Sequence, residues 1–412
     1  MPLVSVSIES IAAGGDGVGR SGGLVVFVPR TAPGDVVTAQ IAEKGRFARG
    51  SLASVVSRAS VRIEPPCPHY TKDKCGGCQL QHMTYESQLG AKQLIIRDSI
   101  QRIGRRSVDA PPVQPSPKDW RYRTKLTLAL RRRGVRWIAG LHPYDDPSRV
   151  FALADCPITD RRVVAAWREI MDADEFFPDA RELRGSVRIT DGGPTFVMMG
   201  GSSWRARDQF AAAVPSISAV WWEPADDKPR KLLFDKRKDR SPSASFAQVN
   251  AEMADVLRSH VLDRARAIEP RSVIDAYAGA GHTAIALSGE GIEVTAIELD
   301  SDASNWSASR LSPPSRSIRA KVEDALPGLL PADLVILNPP RAGVDKRVTD
   351  TLEAESGHLR AVIYVSCNPA TLARDLSRLP SYRVESLRAF DMFPQTAHVE
   401  TVCELRPARE SA

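Results

Sequence analysis

Cys367 stands in Val365-Ser366-Cys367-Asn368-Pro369, directly after the apolar run Ala361-Val362-Ile363-Tyr364-Val365. That run has the β-branched and aromatic content of a buried strand, and Asn-Pro breaks it before a helical stretch from Ala370 to Leu376. A thiol at the carboxyl end of a strand, beside a helix amino terminus, is placed to have a lowered pKa and act as a nucleophile. A small buried core residue is the plainer fate of a free cysteine. A second cysteine group has different spacing. Cys67, Cys75 and Cys78 follow C-x7-C-x2-C with Gly76-Gly77 inside, and Cys156, before Pro157, is the natural fourth ligand. Four thiolates suit tetrahedral zinc or an iron–sulfur cluster, and spacing leaves both open.

From Phe246 onward strands and helices alternate. Ser272 to Ala276 reads as a strand, and Tyr277-Ala278-Gly279-Ala280-Gly281 as a glycine turn opening a helix. Such a turn lets a ligand approach the backbone closely. Glu298 ends the next strand, where a carboxylate holds ribose hydroxyls, and Asp324 is placed to sit beside an adenine. Leu334 to Leu337 is a further strand, ended by the rigid Asn338-Pro339-Pro340-Arg341 turn. A lone G-x-G would also serve a dinucleotide. The ordered set of Asp275, Tyr277, Gly279, Gly281, Glu298, Asp324 and Asn338 looks like a class I methyltransferase that binds S-adenosylmethionine.

These elements occupy the last of three regions. Residues 1–60 hold several short strands with glycine turns, a small barrel that resembles a TRAM domain, an OB-like RNA-binding module. Residues 61–243 form a central, mostly β region that carries the metal-ligating cysteines, and 244–412 the α/β Rossmann-like methyltransferase. Within the central region, Tyr85 to Ile103 reads as an amphipathic packing helix. Leu89, Ile96, Ile100 and Ile103 share one face, and Lys92, Arg97 and Arg102 lie elsewhere. This helix is placed to pack on the methyltransferase region. Tyr122 to Leu130 alternates polar with apolar residues, and Arg131, Arg132 and Arg133 follow. With Arg121, Arg123 and Lys125 they make a candidate phosphate-binding surface, or a solvated hairpin. Lys228 to Arg240 reads as an exposed basic loop.

The composition of the 412 residues agrees with a soluble enzyme that meets an anion. Charged residues make up 26%, and the net charge is +6. No apolar run is long enough to span a bilayer, and Met1 to Ser5 lack the features of a secretory signal. The expected compartment is the cytoplasm, where the six cysteines stay reduced.

Cys75-Gly76-Gly77-Cys78-Gln79-Leu80-Gln81-His82, Phe246-Ala247-Gln248-Val249-Asn250, Pro339-Pro340-Arg341-Ala342-Gly343, Ser366-Cys367-Asn368-Pro369 and Phe393-Pro394-Gln395-Thr396-Ala397-His398-Val399-Glu400 occur in that order. The chain resembles the RNA 5-methyluridine methyltransferases over essentially its whole length. The resemblance implies a [4Fe-4S] cluster on Cys67, Cys75, Cys78 and Cys156, and contacts from Gln248, Tyr277 and Glu298 to S-adenosylmethionine. It further implies Cys367 as nucleophile toward uracil C6 and Glu400 as the base that removes the C5 proton. Phe246 is placed to stack on a base. The implied product is 5-methyluridine, by analogy in ribosomal RNA, made by a monomer on a single-stranded or flipped-out uridine. Transfer RNA, an RNA cytosine, or a catalytically dead RNA-binding role are the alternatives. Two departures stand out: Asn338 replaces the family's usual Asp, and His282 replaces the Asn found in many relatives.

Overall fold

The computed structural model describes residues 2–225, 228–238, 242 and 248–408. Strands β1 (Leu3–Ile11), β2 (Gly17–Ser21), β3 (Leu24–Val28), β4 (Val36–Glu43) and β5 (Phe47–Ser57) close into a barrel in the order β1-β2-β3-β5-β4. Their alternation turns Val6, Ile8, Val26, Val28, Val37 and Ile41 into its core. After it come α1 (Pro68–Thr71), α2 (Tyr85–Arg102) and β6 (Val113–Gln114).

The second sheet contains β7 (Lys125–Arg133), β8 (Arg136–Leu141), β9 (Phe151–Ala152), β10 (Glu182–Thr190), β11 (Gly193–Met199), β12 (Ala219–Glu223) and β13 (Lys231–Asp235), in the order β13-β12-β11-β10-β7-β8-β9. One face is apolar. Leu126, Leu128 and Leu130 of β7, Val187 of β10 and Phe196 of β11 pack on Val163, Trp167 and Ile170 of α3 (Arg161–Asp172). The opposite face is polar and belongs to Lys125 and Thr127, and to Arg184, Ser186 and Arg188. A short helix, α4 (Arg207–Ala213), precedes β12.

The third sheet collects β14 (Ser272–Ala276), β15 (Glu293–Glu298), β16 (Arg316–Arg319), β17 (Leu334–Leu337), β18 (Ala361–Ser366), β19 (Tyr382–Phe390) and β20 (Glu400–Pro407), and it recruits β6 from far upstream. Its order is β16-β15-β14-β17-β18-β20-β19-β6. The first five strands are parallel, and β20 runs antiparallel to β18. Both faces are covered, so these strands are apolar runs, and every residue of β18 is buried. Helices α5 (Ala251–Arg266) and α6 (His282–Gly289) cover one face. On the other, α2 joins α9 (Lys346–Ala354) and α10 (Pro369–Leu376), with Ile96 and Ile100 against Leu372 and Leu376. The remaining short helices are α7 (Ser301–Ala308) and α8 (Val322–Ala325).

Three expectations need correction. Lys92 does not lie on a solvated face of α2: it is fully buried, with its ammonium 2.5 Å from the equally buried Asp391 and 3.1 Å from the Phe393 carbonyl. Burial of an ion needs a partner of opposite charge, and a loop 299 residues away supplies it. Ile103, placed on the packing face, is 45% exposed beyond the helix end. The basic run Lys228 to Arg240 is no simple exposed loop either. It contains β13, and Arg237 is buried against Asp235 at 2.8 Å. Its last two residues lie outside the described residues. No helix among the described residues is long and apolar enough to cross a membrane.

Candidate active site

Chain direction gathers the site. Because β14, β15, β17 and β18 are parallel, the turns after Ala276, Glu298, Leu337 and Ser366 all emerge at one sheet edge. Because β20 is antiparallel to β18, its first residue, Glu400, lies at that same edge. Ser366 pairs with Thr401, so the next rung of the ladder sets Cys367 opposite Glu400.

The glycine turn lies at one end of this edge, where the sequence places the cofactor. Tyr277 (φ 61°), Gly279 (φ 56°) and Gly281 (φ 74°) all take left-handed conformations. A Cβ on Gly279 would meet only open space, whereas one on Gly281 would strike the Ser307 hydroxyl at 2.1 Å. Glu298 braces the turn: its two carboxylate oxygens accept from the backbone N–H of Gly279 at 2.8 Å and of Asp300 at 2.7 Å. Asp275 is buried, its Oδ2 has no hydrogen-bond partner, and burial pushes its carboxyl up to about 7. An orphaned acceptor beneath an open, glycine-lined turn fits a ligand that brings hydroxyls or a cationic centre. Asp324 lies further out, exposed and paired with Arg347 at 2.8 Å. Asn338 is exposed at the end of β17, and its N–H donates to the Ala276 carbonyl at 3.2 Å.

The other end is built from long side chains. Cys367 is half-buried just before α10, whose N-cap is Asn368. Burial and the neighbouring Glu400 push its thiol up, while Arg341 pulls the other way. In this state the helix start does not deliver the lowered pKa read from sequence; desolvation and a carboxylate outweigh it. Glu400 is buried and burial pushes it up to about 7, opposed by Gln248, whose side-chain amide donates to Oε1 at 3.4 Å, and by Arg341. Arg341 therefore acts on both thiol and carboxylate, a role the sequence reading left unassigned. Its position one residue after the Pro-Pro turn was the available signal. Buried Asp375 anchors this turn to α10 by accepting from the Val344 N–H at 3.1 Å and the Tyr364 hydroxyl at 2.8 Å.

The loop before Glu400 is held from all sides. Lys92 grips Asp391, and Gln88 exchanges two hydrogen bonds of 3.0 Å with Gln395. Tyr122 donates to the Pro394 carbonyl at 3.0 Å. Gln79 and Leu80, just past Cys78, donate their N–H groups to the Gln395 carbonyl. Lys92 and Gln88 were absent from the sequence-based site, because nothing local reveals a partner about 300 residues away.

The four cysteines Cys67, Cys75, Cys78 and Cys156 are all buried and act on one another electrostatically. Burial and these neighbours push the Cys75 thiol up to about 11. Among the described residues no group of three or more His, Cys, Asp or Glu side chains is arranged to hold a metal ion. The thiols share one neighbourhood without converging on a single point.

Arg131, Arg132 and Arg133 lie at the far end of β7, eight or more residues beyond Arg123, or roughly 25 Å along a strand. Arg131 pairs with Glu182 at 3.3 Å and Arg132 with Asp179 at 3.0 Å. Phe246 lies outside the described residues.

Residues 329–407 match the family model described as tRNA (Uracil-5-)-methyltransferase, and residues 3–53 the TRAM domain model. An uncharacterised RNA methyltransferase of Protochlamydia amoebophila is 31% identical, the match covering 98% of this chain and 97% of that one. One of Thermosynechococcus vestitus is also 31% identical, over the same shares. The chain belongs to the RNA (uracil-5-)-methyltransferase family. A crystal structure of a Pyrococcus abyssi tRNA (uracil-54, C5)-methyltransferase in complex with S-adenosyl-L-homocysteine superposes with a TM-score of 0.71. At 23% identity, over 98% of this chain and all of that one, it shares the fold. Membership makes this chain an S-adenosylmethionine-dependent RNA methyltransferase with an RNA-binding barrel at its amino end.

Proposed function

We propose that the protein forms 5-methyluridine in RNA, with Cys367 as nucleophile and Glu400 as base. The meeting of thiol and carboxylate at one sheet edge, with Arg341 acting on both, carries this reading. Bound S-adenosylmethionine supplies an electrophilic methyl group; Asp275, Tyr277, Gly279, Gly281, Glu298 and Gln248 would hold it, with Asp324 and Asn338 at the margin. C5 of uracil is a weak nucleophile. The Cys367 thiolate adds to C6 and moves the C5–C6 π pair toward C5 and O4, which makes C5 able to take a methyl group. Glu400 then accepts the C5 proton, the C5=C6 bond re-forms, and the thiolate leaves. Arg341 is the cation that favours both anions before substrate arrives. The base must leave its stack to reach a thiol at a sheet edge.

The cysteine nest supports a [4Fe-4S] cluster on Cys67, Cys75, Cys78 and Cys156 in preference to one zinc. Four buried thiols that are electrostatic neighbours, together with the family resemblance of their motif, support this reading. Four protein ligands make it a structural brace against the loop before Glu400. Ribosomal RNA is the proposed substrate, by the analogy of a TRAM barrel joined to a cysteine nest, and transfer RNA is the alternative the test must separate. Methyl-labelled S-adenosylmethionine, incubated with unmodified ribosomal or transfer RNA, should label uridine in the former. Label on cytidine, or on transfer RNA alone, would overturn the corresponding part.

A further inference from the structure

A cavity of about 290 Å³ lies on the open polar face of the central sheet, away from the cofactor turn. Strand alternation builds it. Alternate residues on the face turned away from α3, Lys125 and Thr127 of β7 and Arg184, Ser186 and Arg188 of β10, line it and set three cations around two hydroxyls. Among the described residues Glu223 is the one carboxylate in its lining, and it is engaged by Arg230 at 2.7 Å. The Ser186 hydroxyl accepts from Thr127 at 3.0 Å, leaving its own hydrogen available as a donor.

Gathering these cations has a physical cost. Burial, then Arg188 and Arg123, push the Lys125 ammonium down to about 8, and Glu223 opposes them only in part. Burial alone pushes Arg188 down to about 10. An incoming anion would offset the burial and like-charge repulsion that Lys125 bears. Guanidinium and ammonium groups beside a hydroxyl donor are the chemistry of a phosphate.

The cavity is also connected to the reacting groups. Arg123 is an electrostatic neighbour of Lys125 on one side and of His398 on the other. His398 is in turn a neighbour of Arg341, which acts on Cys367 and Glu400. Desolvation, and behind it the charges of Arg341, Lys92 and Arg123, push His398 down to about 4 although its outer edge is exposed. Two guanidiniums, Arg123 and Arg341, with the neutral His398 as neighbour of both, thus link cavity to thiol, an arrangement suited to a polyanion rather than to a solitary ion.

We propose that this cavity is a phosphate subsite for the RNA strand whose uridine enters the Cys367 site, with Lys125, Arg184 and Arg188 as its ligands. The inference rests on the RNA reading above and adds a contact far from the barrel.

The test uses the full-length protein and unmodified in vitro transcribed ribosomal RNA. Lys125→Gln with Arg184→Gln should weaken RNA binding about tenfold and flatten the log–log salt dependence by about 1.4, or about 0.7 for each lost single-strand phosphate contact. KM for RNA should rise while kcat and S-adenosylhomocysteine affinity hold. The milder Arg184→Lys, which keeps the charge, should restore most of the slope and guards against misfolding. An unchanged slope and KM in a folded double variant would overturn the subsite while leaving the methylation reading intact. A wild-type protein that methylates no RNA, with the slope change preserved, would count against the reaction but for the subsite. Titration with inorganic phosphate separates a free-anion pocket: variants that lose phosphate binding yet keep the RNA slope would overturn the proposal.

Discussion

The two ends of the active-site edge are made in opposite ways. The cofactor end is backbone: three residues at positive φ, two of them glycine, braced by one carboxylate that accepts two N–H groups. Its parts lie between residues 275 and 338, mostly where one strand turns into the next helix. The base end is side chain: a thiol, a carboxylate, a guanidinium and an amide from four separate segments, with a lysine from α2 holding the loop behind them. A backbone site is preorganised by local conformation. A side-chain site must be preorganised by packing across long sequence separations.

Substitutions should therefore fail differently at the two ends. Cys367→Ala should abolish methyl transfer, by at least about a thousandfold, while leaving S-adenosylhomocysteine binding within about twofold in a calorimetric titration. Equal loss of both would erase the contrast. Glu400→Gln should still permit attack and methylation but not proton removal. Protein and RNA should then accumulate as a denaturant-resistant adduct that is absent from the Cys367→Ala, Glu400→Gln double variant. Normal turnover by Glu400→Gln would assign the base elsewhere.

Lys92→Met should strand Asp391 without its cation and cost about 3–5 kcal/mol of stability by chemical denaturation. Lys92→Met with Asp391→Leu should regain much of that, which a merely steric role for Lys92 would not allow. Gly281→Ala should act at the opposite end. Its methyl meets Ser307 and its φ is left-handed, so about 1–3 kcal/mol of strain should appear mainly as weaker cofactor binding. The smallest effect is in pH. Glu400 must be ionised to take a proton, and its folded pKa is raised to about 7, so kcat should fall as pH drops below about 7. A pH-independent kcat between 6 and 8 would remove Glu400 as the titrating base.

The same contrast explains what could be read from the sequence. Strand, glycine turn, Glu298 and the Pro-Pro turn announce the cofactor end because each signal spans a few adjacent residues. The short barrel strands were legible for the same reason. Cys367 and Glu400 were legible only within their motifs, and their shared edge depends on β20 running against β18. Lys92 reads as a surface lysine on an amphipathic helix, since periodicity records polarity and not the partner that makes burial tolerable. The lowered thiol pKa failed likewise: the helix start is local, but the opposing Glu400 comes from another strand. The cavity on the central sheet escaped notice because alternation predicted a polar face without showing that three cations would share it.

The burial of Lys92 against Asp391 also sets an order of events during synthesis. The lysine leaves the ribosome 299 residues before its partner, and at about 5–20 residues per second the wait is roughly 15–60 s. Throughout that interval α2 has no α10 to cover Ile96 and Ile100, and β6 has no β19 to pair with. The amino-terminal barrel has all five of its strands within the first 57 residues and can close at once. The third sheet, by contrast, is completed last and from both ends, so a nascent chain whose barrel has already closed would have no Glu400 opposite Cys367 until β20 is made.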